Sequence, residues 1–132
     1  MKALILAAGR GIRLNEITGG LPKSLLDING ISVIQRQINQ LKRNNVCEIF
    51  VVRGFKSNEF HLEDVSFIED PEYDKHDQLG SLIAADSEIS GDLLITFGDI
   101  LFDENIIEQI LSSSSNFVVA VDLNWTKSYE KR

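Results

Sequence analysis

The sequence predicts an open α/β sheet, mostly parallel, with helices covering both faces. Three observations carry that expectation. Short apolar runs alternate with stretches of helical periodicity, which is the pattern of strand–helix repeats. The runs Ala3-Leu4-Ile5-Leu6 and Ile49-Phe50-Val51-Val52 are apolar at every position, as in strands buried on both faces. The first run ends in Ala7-Ala8-Gly9-Arg10-Gly11, whose small residues let the backbone come close to a ligand.

Residues 2–6 form the first strand, and the loop with its irregular extension runs to about Lys23. Residues 25–28 are a candidate short strand, turned by Asn29-Gly30. A helix starts at Ser32, with Gln35 as its capping-box partner, Ile34, Ile38 and Leu41 on one face, and Asn44-Asn45 at its end. Residues 49–52 form the second core strand, ended by Gly54. Residues 55–64 are ambiguous: Phe55, Phe60 and Leu62 could share a short helix. Residues 65–68 read as the third strand, closed by Asp70-Pro71, and residues 72–78 as a polar loop. Leu79, Leu82, Ile83 and Ala85 predict a helix that ends before Gly91. Residues 93–97 are the fourth strand, followed by Gly98-Asp99. Asp103 is an N-cap for a helix holding Ile106, Ile107, Ile110 and Leu111. Residues 112–115 are a serine connection, residues 117–121 a fifth strand, and the rest a polar tail. No internal repeat is visible.

With right-handed crossovers and strand order 3-2-1-4, this is a Rossmann-like three-layer sandwich. Ligands then sit beyond the carboxyl ends of the strands, where the winding reverses. The strands ending at Leu6 and Phe97 become neighbours, so the glycine loop and Asp99 open into one crevice.

A chain of 132 residues holds one domain at most, and 43% hydrophobic content is ordinary for a globular core. Thirteen basic against 20 acidic side chains give a net charge of −7, which argues against a nucleic-acid or anionic-membrane partner. Cys47 is the only cysteine, so no intrachain disulfide forms; it reads as a small buried hydrophobe at the start of a strand. The N-terminal apolar stretch is too short for a signal peptide or a membrane span, and the expected location is cytoplasmic.

Successive N–H groups in the glycine loop can turn toward an anion, and the cations Arg13 and Lys23 follow it. That combination suits a polyphosphate. A dinucleotide fingerprint is excluded by Leu14, where a small residue is required, and a P-loop by Pro22 ahead of Lys23-Ser24. Asp99, at a strand end, is a hard oxygen ligand for Mg²⁺ or a turn residue bonding its own backbone. In Gln78-Leu79-Gly80-Ser81, polar edges at a helix start could face a base, or Ser81 could cap the helix. His61 and His76 stand alone and read as surface histidines, and Trp125 as a packing residue.

The run from Leu6 to Leu14, then Thr18, then Pro22-Lys23-Ser24-Leu25-Leu26, resembles the signature of the nucleotidyltransferases. These make activated sugars, phosphocholine or phosphonates from a nucleoside triphosphate. The stretch from Lys23 to Gly30 looks most like the cytidylyltransferases that act on phosphocholine or aminoethylphosphonate. The resemblance implies transfer of a nucleoside monophosphate, with CMP favoured, from the triphosphate to a small phosphorylated or phosphonate acceptor, with release of pyrophosphate and dependence on Mg²⁺. It implies nucleotide contacts from Leu6, Ala7, Ala8, Gly9, Arg10, Gly11 and Gly98. Arg13 would hold the β- and γ-phosphates, and Lys23 would bridge the α-phosphate and the acceptor. Gln78, Gly80 and Ser81 would meet the base. Asp99, within Thr96-Phe97-Gly98-Asp99-Ile100, would hold the metal.

Two departures stand out. The cytidylyltransferases usually place an asparagine ahead of the Ser-Leu pair, whereas Asp77-Gln78 stand here, which leaves UTP open beside CTP. Members also continue well beyond the position of Arg132 and supply acceptor contacts and a further carboxylate there; Asp122 and Glu130 are candidates only by default. The expectation is therefore the N-terminal, nucleotide-binding part of a longer nucleotidyltransferase domain, spanning residues 1–132. The alternatives are a non-catalytic nucleotide-binding module, or a sugar-1-phosphate nucleotidyltransferase using UTP, dTTP or GTP. A third reading is a homo-oligomer, since an unfinished sheet leaves an edge open to a second copy.

Overall fold

The computed structural model describes residues 1–11 and 19–126. Strand β1 (Lys2–Leu6) lies inside a parallel sheet, flanked by β4 (Glu48–Arg53) and β6 (Leu93–Phe97), with β5 (Ser66–Glu69) beyond β4. The order β5-β4-β1-β6 is the 3-2-1-4 arrangement expected. Leu4 stands opposite Phe50 and Ile95, and Leu6 opposite Val52 and Phe97. The ladder overruns the strands: Ala7 donates its N–H to the Val52 carbonyl (2.8 Å), and Gly98 to that of Leu6 (2.8 Å). The loops after β1 and β6 therefore leave the sheet side by side.

β1 is apolar throughout because both its faces are covered. On one face Leu4, Leu6 and Val52 pack with Ala8 and Ala85, joined by Leu82 and Ile68. Leu82 belongs to helix α2 (Gln78–Ala84), which a 3₁₀ turn (Asp86–Glu88) follows. Ala3 and Ile5 point to the other face, where α1 (Val33–Arg43) brings Ile34, Ile38 and Leu41 into the core. α1 is tied to that side through Gln37, whose Oε1 accepts from Thr96 Oγ1 (3.4 Å) on β6. Full burial of each such aliphatic side chain stabilises the fold by about 1.5–3 kcal/mol.

Local signals hold where they are strong. Ser32 caps α1, its side chain accepting from the Gln35 N–H at 3.3 Å. Before it, β2 (Asp27–Ile28) and β3 (Ile31–Ser32) form a small hairpin. Asn29 and Gly30 both have positive φ (53° and 81°), as the tight hairpin turn demands. Asp27 Oδ1 accepts the Gly30 N–H at 2.8 Å, and the Arg36 guanidinium donates to the Ile28 carbonyl. Lys23–Leu25 form a 3₁₀ turn, so the strand starts two residues later than expected. Residues 55–64 hold only a 3₁₀ turn at Ser57–Glu59, with left-handed Lys56 before it and Phe60 buried after it.

Two expectations are corrected. Cys47 is exposed, because β4 begins after it and the flanking Val46 and Ile49 take the buried positions. Residues 117–121 do not form a fifth strand. Among the described residues no segment pairs with them, and Phe117 is 85% exposed. An apolar run becomes a strand only where a neighbour takes its N–H and C=O groups.

Backbone contacts divide the chain into two compact units, Met1–Phe102 and Asp103–Arg132. The second holds α3 (Glu104–Ser112), capped as expected by Asp103, which accepts from the Asn105 N–H at 3.0 Å. Among the described residues no helix is long and apolar enough to cross a membrane.

Candidate active site

A crevice of about 540 Å³ opens beyond the carboxyl ends of β1 and β6. That volume is in the range of small-molecule sites. Its floor is the exit of β1: Leu6, Ala7, Ala8, Gly9, Arg10 and Gly11. One wall carries Lys23, Ser24, Gly98 and Asp99. The other carries Tyr73, Asp74, His76, Asp77, Gln78 and Ser81.

Two glycines make the first wall possible. Gly11 has φ +63°, and a Cβ there would lie 2.4 Å from Cγ of Lys23. The lysine stem therefore lies over Gly11 and carries its ammonium group across the loop. A Cβ at Gly98 would come within 2.8 Å of the Ala7 Cβ, so small residues at 7 and 98 let the two strand exits touch. The result is a Lys23 Nζ to Asp99 Oδ2 distance of 3.6 Å, with both groups still partly open to solvent.

The loop that presents Asp99 is held from beneath. Gln37, buried on α1, donates through Nε2 to the carbonyls of Phe97 (2.8 Å) and Ile100 (2.7 Å). Arg10 is steered along the crevice lip, its guanidinium 5.2 Å from the centre of the Phe55 ring. Phe55 itself is tied to the loop through its N–H and the Ala8 carbonyl (3.0 Å). Ser24 lines the crevice, and its hydroxyl is buried without a hydrogen-bond partner among the described residues.

The second wall is organised by Asp70, which follows β5 and is 2% exposed. Its Oδ2 accepts from Ser81 Oγ at 2.7 Å; its Oδ1 accepts from the Glu72 N–H at 3.2 Å and faces His76 Nε2 at 3.1 Å. His76 Nδ1 lies 3.0 Å from the Asp77 carbonyl oxygen. The His76 pKa is raised, chiefly by the Asp77 carbonyl and further by the Asp70 carboxylate, against an opposing effect of partial burial. The ring lies against Gly80, where a Cβ would come within 2.2 Å of it. Tyr73 uses Gly54 in the same way, at 2.6 Å.

The structure thus gathers most of the residues singled out in the sequence, and it corrects some details. Leu6 through Gly11, Lys23, Gln78, Ser81, Gly98 and Asp99 line one crevice. Gly80 does not line it; it is the seat of the His76 ring. Ser81 does not cap α2: Asp77 does, accepting from the Leu79 N–H at 3.0 Å, while Ser81 donates to Asp70. His61 and His76 are both exposed as expected, but His76 is not isolated, since Asp70 and the Asp77 carbonyl flank its ring. Trp125 is more than half exposed. Arg13 and Thr18 lie outside the described residues. Gln37 and Asp70 were missed by the sequence reading. A glutamine three residues after Ile34, inside an apolar stripe, was the available signal for Gln37. Asp70 offered none beyond a polar residue at a strand end.

Asp99 fits a divalent cation. Its half-exposed carboxylate faces the crevice cation Lys23, and Mg²⁺ takes one or two carboxylates with phosphate oxygens and waters. Among the described residues no group of three or more His, Cys, Asp or Glu side chains is placed to hold a metal. An ion here would therefore draw most of its ligands from a triphosphate and water.

Comparison with known proteins agrees with this geometry. The chain is similar to the CTP:phosphoglutamine cytidylyltransferase of Campylobacter jejuni, 28% identical over 145 residues that cover 100% of this chain and 56% of that protein. It is similar to the choline-phosphate cytidylyltransferase of Streptococcus pneumoniae, 31% identical over 123 residues that cover 90% of this chain and 53% of that one. A solved structure of CTP:phosphocholine cytidylyltransferase from Streptococcus pneumoniae superposes with a TM-score of 0.69 at 29% identity, over 74% of this chain and 44% of that one. The chain spans about half the length of these relatives. The sequence model of the MobA-like NTP transferase domain matches residues 3–126, and the chain belongs to that family.

Proposed function

We propose that residues 1–132 are the nucleotide-binding part of a nucleotidyltransferase domain. It transfers a nucleoside monophosphate, CMP in first place, from the triphosphate to a small phosphorylated or phosphonate acceptor. One observation carries the reading: Lys23 and Asp99 meet at 3.6 Å across a crevice floored by the glycine loop. The choice of CTP is supported by the names of the two cytidylyltransferase relatives.

The acceptor oxygen is anionic near neutral pH, so no general base is needed. It attacks the α-phosphorus; the bond from that phosphorus to the bridging oxygen breaks, and the electron pair leaves on pyrophosphate. The protein's work is alignment and charge neutralisation. Backbone N–H groups of Gly9 to Gly11 hold phosphate oxygens, Ser24 offers them an unused hydroxyl, and Arg13 takes the β- and γ-phosphates. Lys23 sits between the α-phosphate and the acceptor. Gln78 and Ser81 face the base. Asp99 would hold Mg²⁺, which supplies polarisation of the α-phosphate when bound.

The test is pyrophosphate release by the full-length protein, with each of the four nucleoside triphosphates, Mg²⁺ and a panel of phosphorylated and phosphonate acceptors. CTP should serve best, and a chelator should stop release. Lys23→Ala and Asp99→Ala should each lower kcat by about 10²–10³-fold. Triphosphate binding without release in any combination would leave a non-catalytic binding module as the function.

A further inference from the structure

We propose that His76 is a positioning residue for the nucleobase. As an imidazolium it clasps the 71–77 turn to the end of β5 and sets the first turn of α2, so nucleotide affinity weakens as the ring loses its proton. The inference rests on the nucleotide-binding reading above and adds to it a control of that same site.

The argument starts from the two ring nitrogens. Nε2 lies 3.1 Å from Asp70 Oδ1 and Nδ1 lies 3.0 Å from the Asp77 carbonyl oxygen. Both oxygens are acceptors only. A neutral imidazole has one N–H and one lone pair, so it satisfies one of these oxygens and turns a lone pair toward the other. Only the protonated ring bonds both. Loss of the proton therefore opens one side of the clasp, either at the strand end or at the helix cap.

Both sides bear on the base wall. Asp70 holds Ser81 through its other oxygen at 2.7 Å, and Asp77 is the N-cap of α2. The ring itself rests on Gly80, leaving no room there for a Cβ. Gln78 and Ser81, two of the polar residues that line this wall, are thus bracketed by contacts that lead back to His76. Asp74, Lys75 and Asp77 flank the ring in its own turn; Glu72, paired with Lys75 at 2.7 Å, stands in the same turn and adds to the pull on the proton; Asp70 follows β5, and α2 presents the uncharged Gly80. Across the crevice stand Arg10, Lys23 and Asp99.

Residues 1–132 hold two histidines, His61 and His76, and the signal lost in His76→Gln assigns the ring in an NMR titration of the full-length protein. In the nucleotide-free protein the His76 pKa should fall in Asp70→Asn. Adding the best-binding of the four nucleoside triphosphates should raise it, because coupling between proton and nucleotide is reciprocal. Calorimetric Kd values, measured for wild type and His76→Gln from pH 5.5 to 8.5, cancel the ionisation of the nucleotide's own phosphates when taken as a ratio. That ratio should favour wild type by a factor of about five or more at the acid end and approach unity at the alkaline end. If Asp70→Asn fails to fold, His76→Gln carries the test alone, since its side chain is partly exposed. A pH-independent ratio, or a His76 pKa unmoved by a nucleotide that binds, overturns the clasp and leaves the proposed activity standing. Failure of all four triphosphates to bind wild type at any pH overturns the nucleotide reading, and the clasp's function with it.

Discussion

A methyl group added at Gly11 would meet the Lys23 stem at 2.4 Å, on a backbone whose φ is +63°. Gly11→Ala should therefore destabilise the fold by about 1–2 kcal/mol, from the left-handed conformation alone. It should also push Lys23 off the loop and weaken triphosphate binding. Urea denaturation and calorimetry check the two effects separately, and wild-type values in both would remove the lysine seat from the site's design. Lys23 predicts the opposite balance. Its pairing with Asp99 is partly solvated at 3.6 Å, and such pairs contribute about 0–1 kcal/mol. Lys23→Ala should leave the unfolding midpoint nearly unchanged while activity falls. A large loss of stability would make the pair structural rather than functional.

Among the elements, α1 is more than a cover for the sheet. Its buried Gln37 reaches the carbonyls of Phe97 and Ile100, and between them lies Asp99. Gln37→Leu would fill the space but leave both carbonyls without that donor, at a cost of about 1–3 kcal/mol. Amide hydrogen exchange at residues 98–100 should quicken at the same time, since the loop loses its anchor. Unchanged exchange would mean that the loop is held by its own turn. At the start of the same helix, Ser32→Ala should cost about 1 kcal/mol through loss of the bond to Gln35. Ser32 bonds Gln35 and not the 98–100 loop, so exchange there should stay as it was.

At the scale of the whole molecule, two quantities follow from how the layers close. Leu4 is buried in the core cluster between β1, β4 and α2, and Leu4→Ala should cost about 2–5 kcal/mol in chemical denaturation. Stability should also depend on pH through His76. Its native pKa lies above the ordinary 6.5, so its contribution is fully present below that value and is lost as pH rises through the raised native one. The difference in urea midpoint between wild type and His76→Gln should accordingly be greatest near pH 5.5 and vanish at alkaline pH. A difference that grows with pH would mean that the ring is held neutral.

The sequence by itself determined the layer architecture and the crevice floor. Each of those rests on neighbours in the chain: apolar runs that must be buried on two faces, a serine cap, glycines at a strand's end. Periodicity and turn chemistry are local, and they are legible residue by residue. The supports of the site were not legible in that way. Gln37 meets Phe97 across 60 positions, and Asp70 meets Ser81 across 11. Neither partner differs in type from an ordinary polar residue, and His76 looked solitary until the turn folded it onto Gly80 between two oxygens. The same reason explains residues 117–121, whose apolar pattern is that of a strand although no described segment pairs with them. Composition and spacing state what a segment could bury or bond; which group comes within 3 Å of which is decided only when the chain closes on itself.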